Sequence, residues 1–330
     1  MLTAMTDKIR WGILSTASIG RRRVIPAFKL ARNGVVAAVA SRSLERAQTF
    51  AAELGIPTAY GSYEELIHDP NIDAIYNPLP NSEHAVWSIR CAEAGKPVLC
   101  EKPLASTAAE AQHMVDAFAS RGVLLAEGFM YRFHPQAAKV KEMVENGALG
   151  TFNTINATFT FPIRSEDDIR MQTGLAGGSL MDVGCYCINV MRLMTGEEPV
   201  TGKALASWVS GSGVDERLAG ILQFPSGVLG HFDCGFRQIK THTYELRGTE
   251  GRILVEKGFT VEPDEEPVIR WWRGERCEEI RLPAVNHYTL MAEDFADALL
   301  NRRPPRFPAH DGVANMRVID MLLADARRSL

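Results

Sequence analysis

Nowhere in the 330-residue sequence is there a run approaching the ~20 consecutive uncharged apolar residues that a membrane span requires. Residues 1–10 likewise carry no apolar stretch leading to a cleavage site, so a cytoplasmic protein without leader or membrane partner is expected. Positive charge is not in excess either: 36 Lys and Arg stand against 40 Asp and Glu, a net charge of -4. A phosphate backbone would find little to neutralise it, so no nucleic-acid partner is expected. The six cysteines (Cys91, Cys100, Cys185, Cys187, Cys234, Cys277) show no spacing typical of disulfide frameworks or zinc knuckles, and a helix turns Cys185 and Cys187 to diverging faces. That argues against a disulfide framework or a metal site and for reduced, mostly buried thiols. Internal repeats and low-complexity segments are missing too. What is present is an ordinary globular composition, 46% hydrophobic and 23% charged, over a length suited to two domains of about 150 residues each.

From Ile9 to about Glu127, short apolar runs alternate with longer segments of helical period, the pattern of a parallel sheet covered by helices on both faces. It predicts strands at 9–14, 35–40, 59–60, 74–76, 97–100 and 123–126, and helices at 19–31, 44–54, 63–68, 82–94 and 107–121. Gly34, Gly55, Gly95 and Gly122 stand where a positive φ would close several of these helices. After Phe133 a helix at 136–145 leads into longer alternating strands at 151–161, 201–209, 217–224, 228–236, 243–247 and 252–256. Further helices are predicted at 178–194, 287–300 and 311–328, with Pro304, Pro305 and Pro308 stiffening the last connection. The fold class is therefore α/β: a doubly wound parallel sheet over residues 1–128, then an α+β domain over 129–330 built on a large, mostly antiparallel open sheet. An open sheet needs cover, so a homodimer or homotetramer is expected.

The first strand runs into Ser15-Thr16-Ala17-Ser18-Ile19-Gly20 and then a helix, the placement of a dinucleotide-binding loop. Small residues there let backbone approach a pyrophosphate, and a helix N-terminus offers free N–H groups to it. Ser15 and Ala17 replace the first two glycines of GxGxxG, so by itself this segment also reads as a plain strand-to-helix turn. The second strand ends in Ser41-Arg42-Ser43, with Arg46 one turn on, instead of the acidic residue that would bind the ribose of NAD. Serine and arginine there suit a 2′-phosphate, which favours NADP over NAD, although a solvated arginine at a helix start is the simpler alternative.

Two segments offer chemistry. Glu101-Lys102-Pro103 closes the fifth strand at the edge where a doubly wound sheet binds its ligand. A partly desolvated lysine beside a cationic nicotinamide is expected to exchange its proton near the working pH, with Glu101 orienting it or binding ribose. Whether the Lys102-Pro103 bond is cis is a question for the structure, and on its own a Glu-Lys-Pro at a strand end more often reads as a surface turn than as a site. In the second segment, 176–189, helical geometry puts Asp182, Tyr186 and Asn189 on one face. The alternative is a core tyrosine with Asp182 as a helix cap.

Taken together, Glu101-Lys102-Pro103, the run Gly177-Gly178-Ser179-Leu180-Met181-Asp182-Val183-Gly184 with Tyr186 beyond it, and the order of the two halves resemble the glucose-fructose oxidoreductase, inositol dehydrogenase and rhizopine catabolism (Gfo/Idh/MocA) family. The resemblance covers essentially the whole chain. It implies an N-terminal Rossmann domain, a catalytic Lys102, and Tyr186 where the inositol dehydrogenase branch has histidine. The tyrosine is like the branch of glucose-fructose oxidoreductase, dihydrodiol dehydrogenase, D-xylose dehydrogenase and sugar ketoreductase. It also implies that Pro78, Leu79, Asn81 and His84 lie along the cofactor. For His84 a helix-start residue facing water is the alternative. Arg132 and Arg170 are implied as crevice or cofactor contacts, with domain-interface salt bridges as the competing reading. The implied activity is hydride transfer between nicotinamide and a carbinol or carbonyl carbon of a sugar or polyol, Lys102 and Tyr186 sharing the proton and Asp182 holding the substrate or the pair. Phe161, Phe236 and Tyr244 are candidate pocket residues. A trans-dihydrodiol dehydrogenase, an NAD-dependent glycosidase and a noncatalytic cofactor-sensing regulator are the alternatives the resemblance permits.

Overall fold

The computed structural model describes residues 8–328, and the reading of residues 1–7 lies outside them. Two compact units are present: Met1–Met130 with Tyr288–Val313, and Tyr131–His287 with Ala314–Leu330.

The first unit contains β1 (Ile9–Leu14), α1 (Ile25–Leu30), β2 (Gly34–Ala40), α2 (Leu44–Leu54), β3 (Thr58–Tyr60), α3 (Tyr63–His68), β4 (Ala74–Asn77), α4 (Asn81–Glu93), β5 (Val98–Cys100), α5 (Ala108–Ala119) and β6 (Leu125–Glu127). Its six strands are parallel, in the order β3-β2-β1-β4-β5-β6. Covered on both faces, such a sheet wants continuous apolar strands, and β1 and β4 are almost wholly buried. The strand order reverses between β1 and β4, which opens a crevice at the carboxyl edge.

Side chains set the local punctuation. Ser43 and Thr107 accept from the backbone N–H three residues on at the starts of α2 and α5, and Gly55 leaves α2 at φ 58°. Gly95 and Gly122 are also left-handed. Gly34 is not: it opens β2, where a Cβ would lie 2.7 Å from Trp11 Nε1, so its role is to admit the indole and not to close a helix. The helix expected over 19–31 begins instead as a π-helical turn, Gly20–Val24, before α1.

The second unit follows a short 3₁₀ turn and α6 (Pro135–Glu145) with β7 (Phe152–Thr160), a second π-helical turn at Leu180–Gly184, α7 (Cys185–Thr195), β8 (Thr201–Trp208), β9 (Asp215–Gln223), β10 (Leu229–Gly235), β11 (Thr241–Gly248), β12 (Arg252–Val255), β13 (Val268–Arg273) and β14 (Arg276–Arg281). They form one eight-stranded sheet, β14-β13-β12-β11-β7-β10-β9-β8, antiparallel except where β7 meets β10. The hairpin β13–β14 carries no sequence signature: β14 is almost entirely exposed and charged, so no apolar alternation marks it.

α8 (His287–Leu300) and α9 (His310–Arg327) end the chain. A single boundary after residue 128 misses where α8 goes. Phe295 packs 5.2 Å from Trp11, Thr289 donates to Ala27 O at 2.9 Å, and Asp297 accepts from Asn33 at 2.7 Å. These contacts bind Tyr288–Val313 to the first unit. All six cysteines are free, five of them buried and Cys277 exposed. Among the described residues no helix is long and apolar enough to cross a membrane.

Candidate active site

Four loops of the first unit leave the carboxyl ends of β1, β2, β4 and β5, so the topology gathers Ser15–Ile19, Ser41–Arg42, Pro78–Asn81 and Glu101–Lys102 along one edge. Ser15 holds φ 75°, the conformation a motif glycine would adopt, and its Oγ accepts from Ala17 N at 3.3 Å. Thr16, Ala17 and Ile19 are half-buried and Ser18 exposed. A Cβ at Gly20 would meet only Ile25 Cδ1, at 3.7 Å. Protein packing alone leaves that position free, so this loop fits a pyrophosphate approached closely by backbone.

At the end of β2, Ser41 is buried and Arg42 and Arg46 are exposed. Burial pushes the Tyr63 phenol up, and the facing Arg42 guanidinium counters it. Arg42 is thereby placed beside an aromatic hydroxyl at the start of α3. Next along the edge, buried Asn77 donates to Ser88 Oγ at 3.0 Å and accepts from Leu79 N at 3.2 Å. Pro78 and Leu79 are buried behind it and Asn81 is half-buried.

At β5, Tyr76 donates from its hydroxyl to Glu101 Oε1 at 2.6 Å, and burial, then that carboxylate, drive the phenol well above its ordinary range. Lys102 is half-exposed, and the Lys102–Pro103 peptide is cis. His84 does not face water. It is buried, with Nδ1 2.8 Å from Pro103 O and Nε2 2.8 Å from Leu79 O. Burial lowers its pKa to about 4, with the Lys102 charge acting in the same direction.

Tyr186 stands on α7 of the second unit. Gly178 sits at φ 126°, and a Cβ there would lie 2.2 Å from Asp215 Oδ1; at Gly177 one would lie 2.3 Å from Arg170 O. Gly177 thus admits the Arg170 carbonyl and Gly178 admits Asp215, whose Oδ2 accepts from Ser179 Oγ and Leu180 N, each at 2.7 Å. Asp215 therefore serves the helix start that Asp182 was a candidate to cap. Burial raises its pKa to about 6. Asp215 has no sequence signal, since it stands 36 residues from its partner at an unremarkable strand start.

Asp182 accepts from Arg170 Nε at 2.8 Å, and Arg170 also pairs with Asp168 at 3.1 Å and lies 5.8 Å from the Phe161 ring centre. Asp182 chiefly raises the guanidinium pKa. Both carboxylates belong to the same unit as Arg170, so these pairs are not interface bridges. Arg132 is buried. Asn189 does not continue the expected polar stripe: it is buried and accepts from Tyr131 Oη at 2.6 Å.

Tyr186 lies in an aromatic cluster, with ring centres 5.2 Å from Phe159, 5.5 Å from Phe259 and 5.9 Å from Tyr131. Sequence reasoning missed all three as neighbours, because they come from a turn, a strand and a loop far apart in the chain. Phe236 and Tyr244 are buried core residues and not pocket walls; only Phe161 of that trio is half-exposed.

Residues 9–129 match the oxidoreductase family with an NAD-binding Rossmann fold, and residues 137–254 match the GFO/IDH/MocA C-terminal domain. The chain belongs to the GFO/IDH/MocA family of oxidoreductases. It is 39% identical to D-xylose 1-dehydrogenase (NADP(+)) 2 of Haloferax volcanii, over 96% of this chain and 97% of the relative. It is 35% identical to mouse (Mus musculus) trans-1,2-dihydrobenzene-1,2-diol dehydrogenase, over 76% of this chain and 75% of the relative. The crystal structure of KijD10, a 3-ketoreductase from Actinomadura kijaniata in complex with NADP and TDP-benzene, matches with a TM-score of 0.92 at 32% identity, covering 96% of this chain and 98% of its own.

Proposed function

We propose that this oxidoreductase is an NADP-dependent dehydrogenase or reductase acting on the CH–OH or C=O carbon of a sugar or related polyol. The observation that carries the reading is the alignment of the Ser15 loop, Ser41–Arg42, the Leu79 loop and Glu101–Lys102 on one carboxyl edge of a single parallel sheet. An NADP-dependent xylose dehydrogenase among the relatives and a KijD10 structure in complex with NADP support it.

When bound, the nicotinamide supplies the hydride acceptor or donor at C4. The Ser15–Ile19 backbone holds the pyrophosphate, and Ser41 and Arg42 hold the 2′-phosphate, Arg42 by a charge-assisted bond. In oxidation, Lys102 and Tyr186 take the proton of the substrate hydroxyl; in reduction they return it to the forming alkoxide. Asp182, fixed by Arg170 at 2.8 Å, orients substrate hydroxyls.

The test is absorbance of reduced nicotinamide with NADP and NAD against aldoses, cyclitols and trans-dihydrodiols. Lys102→Ala lowers kcat by about 10²–10⁴-fold, and Tyr186→Phe by a smaller factor. Binding of NADP without turnover on any alcohol, or full activity in Lys102→Ala, overturns the reading.

A homodimer or homotetramer is part of the proposal. The outward face of β8, β9 and β10 exposes Leu205 (69%), Ile221 (57%) and Leu229 (52%). On it lies a recess of about 650 Å³ lined in part by Lys203, His231, Asp233 and Asp325. Both charge signs in one patch suit a second copy placed about a twofold axis.

A further inference from the structure

One buried titratable side chain of the first unit has no part in the proton transfer above. His84 stands in the first turn of α4, 1% exposed, with its two ring nitrogens each 2.8 Å from a backbone oxygen, Nδ1 from Pro103 O and Nε2 from Leu79 O. One oxygen belongs to the turn that carries Lys102, the other to the loop between β4 and α4. A ring with a single N–H donates to one of them, and a doubly protonated ring to both.

The same residue stands within a wider set of contacts. Its own carbonyl accepts from Asn77 Nδ2 at 3.3 Å, and Asn77 Oδ1 accepts from Leu79 N at 3.2 Å. On the far side, Ser106 Oγ donates to Asn81 O at 3.3 Å, a link to the first residue of α4. The carboxylates of these segments are engaged elsewhere. Glu83 accepts from Trp87 Nε1 at 3.0 Å, Glu101 from the Tyr76 hydroxyl at 2.6 Å and Glu110 from Ser106 N at 3.1 Å. The charge that acts on the imidazole is the ammonium of Lys102, which with burial opposes a second ring proton.

We propose that His84 is a positioning residue for Lys102: its buried neutral ring, with Nδ1–H donating to Pro103 O and Nε2 set against Leu79 O, holds the Lys102 turn in register with the Leu79 loop. The proposal rests on Lys102 being the proton-handling group. His84 acts through the backbone carbonyls and passes no proton to substrate. A lysine on a free turn samples many placements, whereas one on a clamped turn keeps its ammonium where proton transfer requires it.

Three replacements separate this role from simple core filling. Asparagine puts an amide N–H near the place of Nδ1, toward Pro103 O; glutamine puts one near the place of Nε2, toward Leu79 O; alanine keeps neither. His84→Ala is expected to lower kcat at least about tenfold and to move the pH profile of kcat by about half a unit or more. His84→Asn stays within about threefold of the parent, because it keeps the link to the Lys102 turn, and His84→Gln follows alanine. NADP dissociation constants, from tryptophan fluorescence, separate cofactor binding from the catalytic step in each variant.

A second readout needs no turnover. In NMR titration of the cofactor-free protein, Lys102→Ala raises the His84 pKa above its value in the parent, because removal of the ammonium removes its repulsion. The proposal is overturned if His84→Ala lowers Tm but leaves kcat and its pH profile within twofold, if asparagine and glutamine give equal kcat, or if the His84 titration is unmoved in Lys102→Ala. Full activity in Lys102→Ala overturns the role of Lys102 itself, while the titration still reads whether ring and turn are coupled.

Discussion

Arg42 and Asp215 show how differently single residues announce themselves. Arg42 follows β2, at a position where chemistry can be read from the sequence, since an acidic residue there repels a 2′-phosphate and a cation attracts it. Its environment adds Tyr63, whose phenol faces the guanidinium. Loss of one charge-assisted bond to phosphate costs about 1.5–3 kcal/mol, so Arg42→Ala is expected to weaken NADP about 10–100-fold. NAD affinity changes little, and calorimetry with both cofactors checks the ratio. Equal loss for the two would remove Arg42 from 2′-phosphate recognition. Asp215, by contrast, was invisible: its partners Ser179 and Leu180 reach it only across the folded unit.

Among the elements, the two π-helical turns stand out, because Gly20–Val24 and Leu180–Gly184 open the helices that follow the Ser15 loop and carry Tyr186. Such turns widen the backbone and re-aim side chains, often at functional sites. Hydrophobic period alone does not distinguish them from a first α-helical turn, so the sequence pattern predicts plain helix for both segments. The start of the second one depends on Gly178, whose φ of 126° and 2.2 Å clearance from Asp215 Oδ1 leave no place for a Cβ. Gly178→Ala therefore combines backbone strain with loss of the Asp215 bonds, an expected cost of about 2–4 kcal/mol. Urea unfolding measures it. A change below about 0.5 kcal/mol would mean that Asp215 does not hold this helix start.

For the whole molecule, acid stability follows from three histidines buried neutral. His84, His134 and His242 have pKa values lowered by burial to about 4, against 6.5 when unfolded. Between those limits the unfolded chain binds protons that the folded chain refuses. Stability is therefore full above pH 6.5 and falls toward pH 4, by about 1.4 kcal/mol per pH unit for each histidine fully in its window. Asp215 works oppositely: its folded carboxyl keeps a proton up to about pH 6, so its contribution is present at low pH and lost as pH rises. Three histidines outweigh one carboxyl, and urea midpoints are expected to fall from pH 7 to pH 5. Asp215→Asn steepens the fall by removing the opposing group. Self-association belongs to this scale too. Ile221→Lys on the outward sheet face is expected to give a monomer by light scattering at micromolar concentration, and an unchanged oligomer would move the interface elsewhere.

The sequence by itself determined the order and type of most elements, because periodicity, serine and threonine caps and closing glycines act over three or four residues. α2, α3 and α8 fall on their predicted limits for that reason. It also determined which loops lie at the carboxyl edge, since βαβ connectivity fixes strand direction. Tertiary structure alone decided what those residues touch. It buried His84 between Pro103 O and Leu79 O, tied Asn189 to Tyr131, surrounded Tyr186 with Phe159 and Phe259, and gave α8 to the first unit. It also completed the second sheet with β13–β14, whose charged edge strand has no apolar period to read. Local hydrogen bonding is written in neighbouring residues, whereas burial and long-range pairing arise only when distant segments meet.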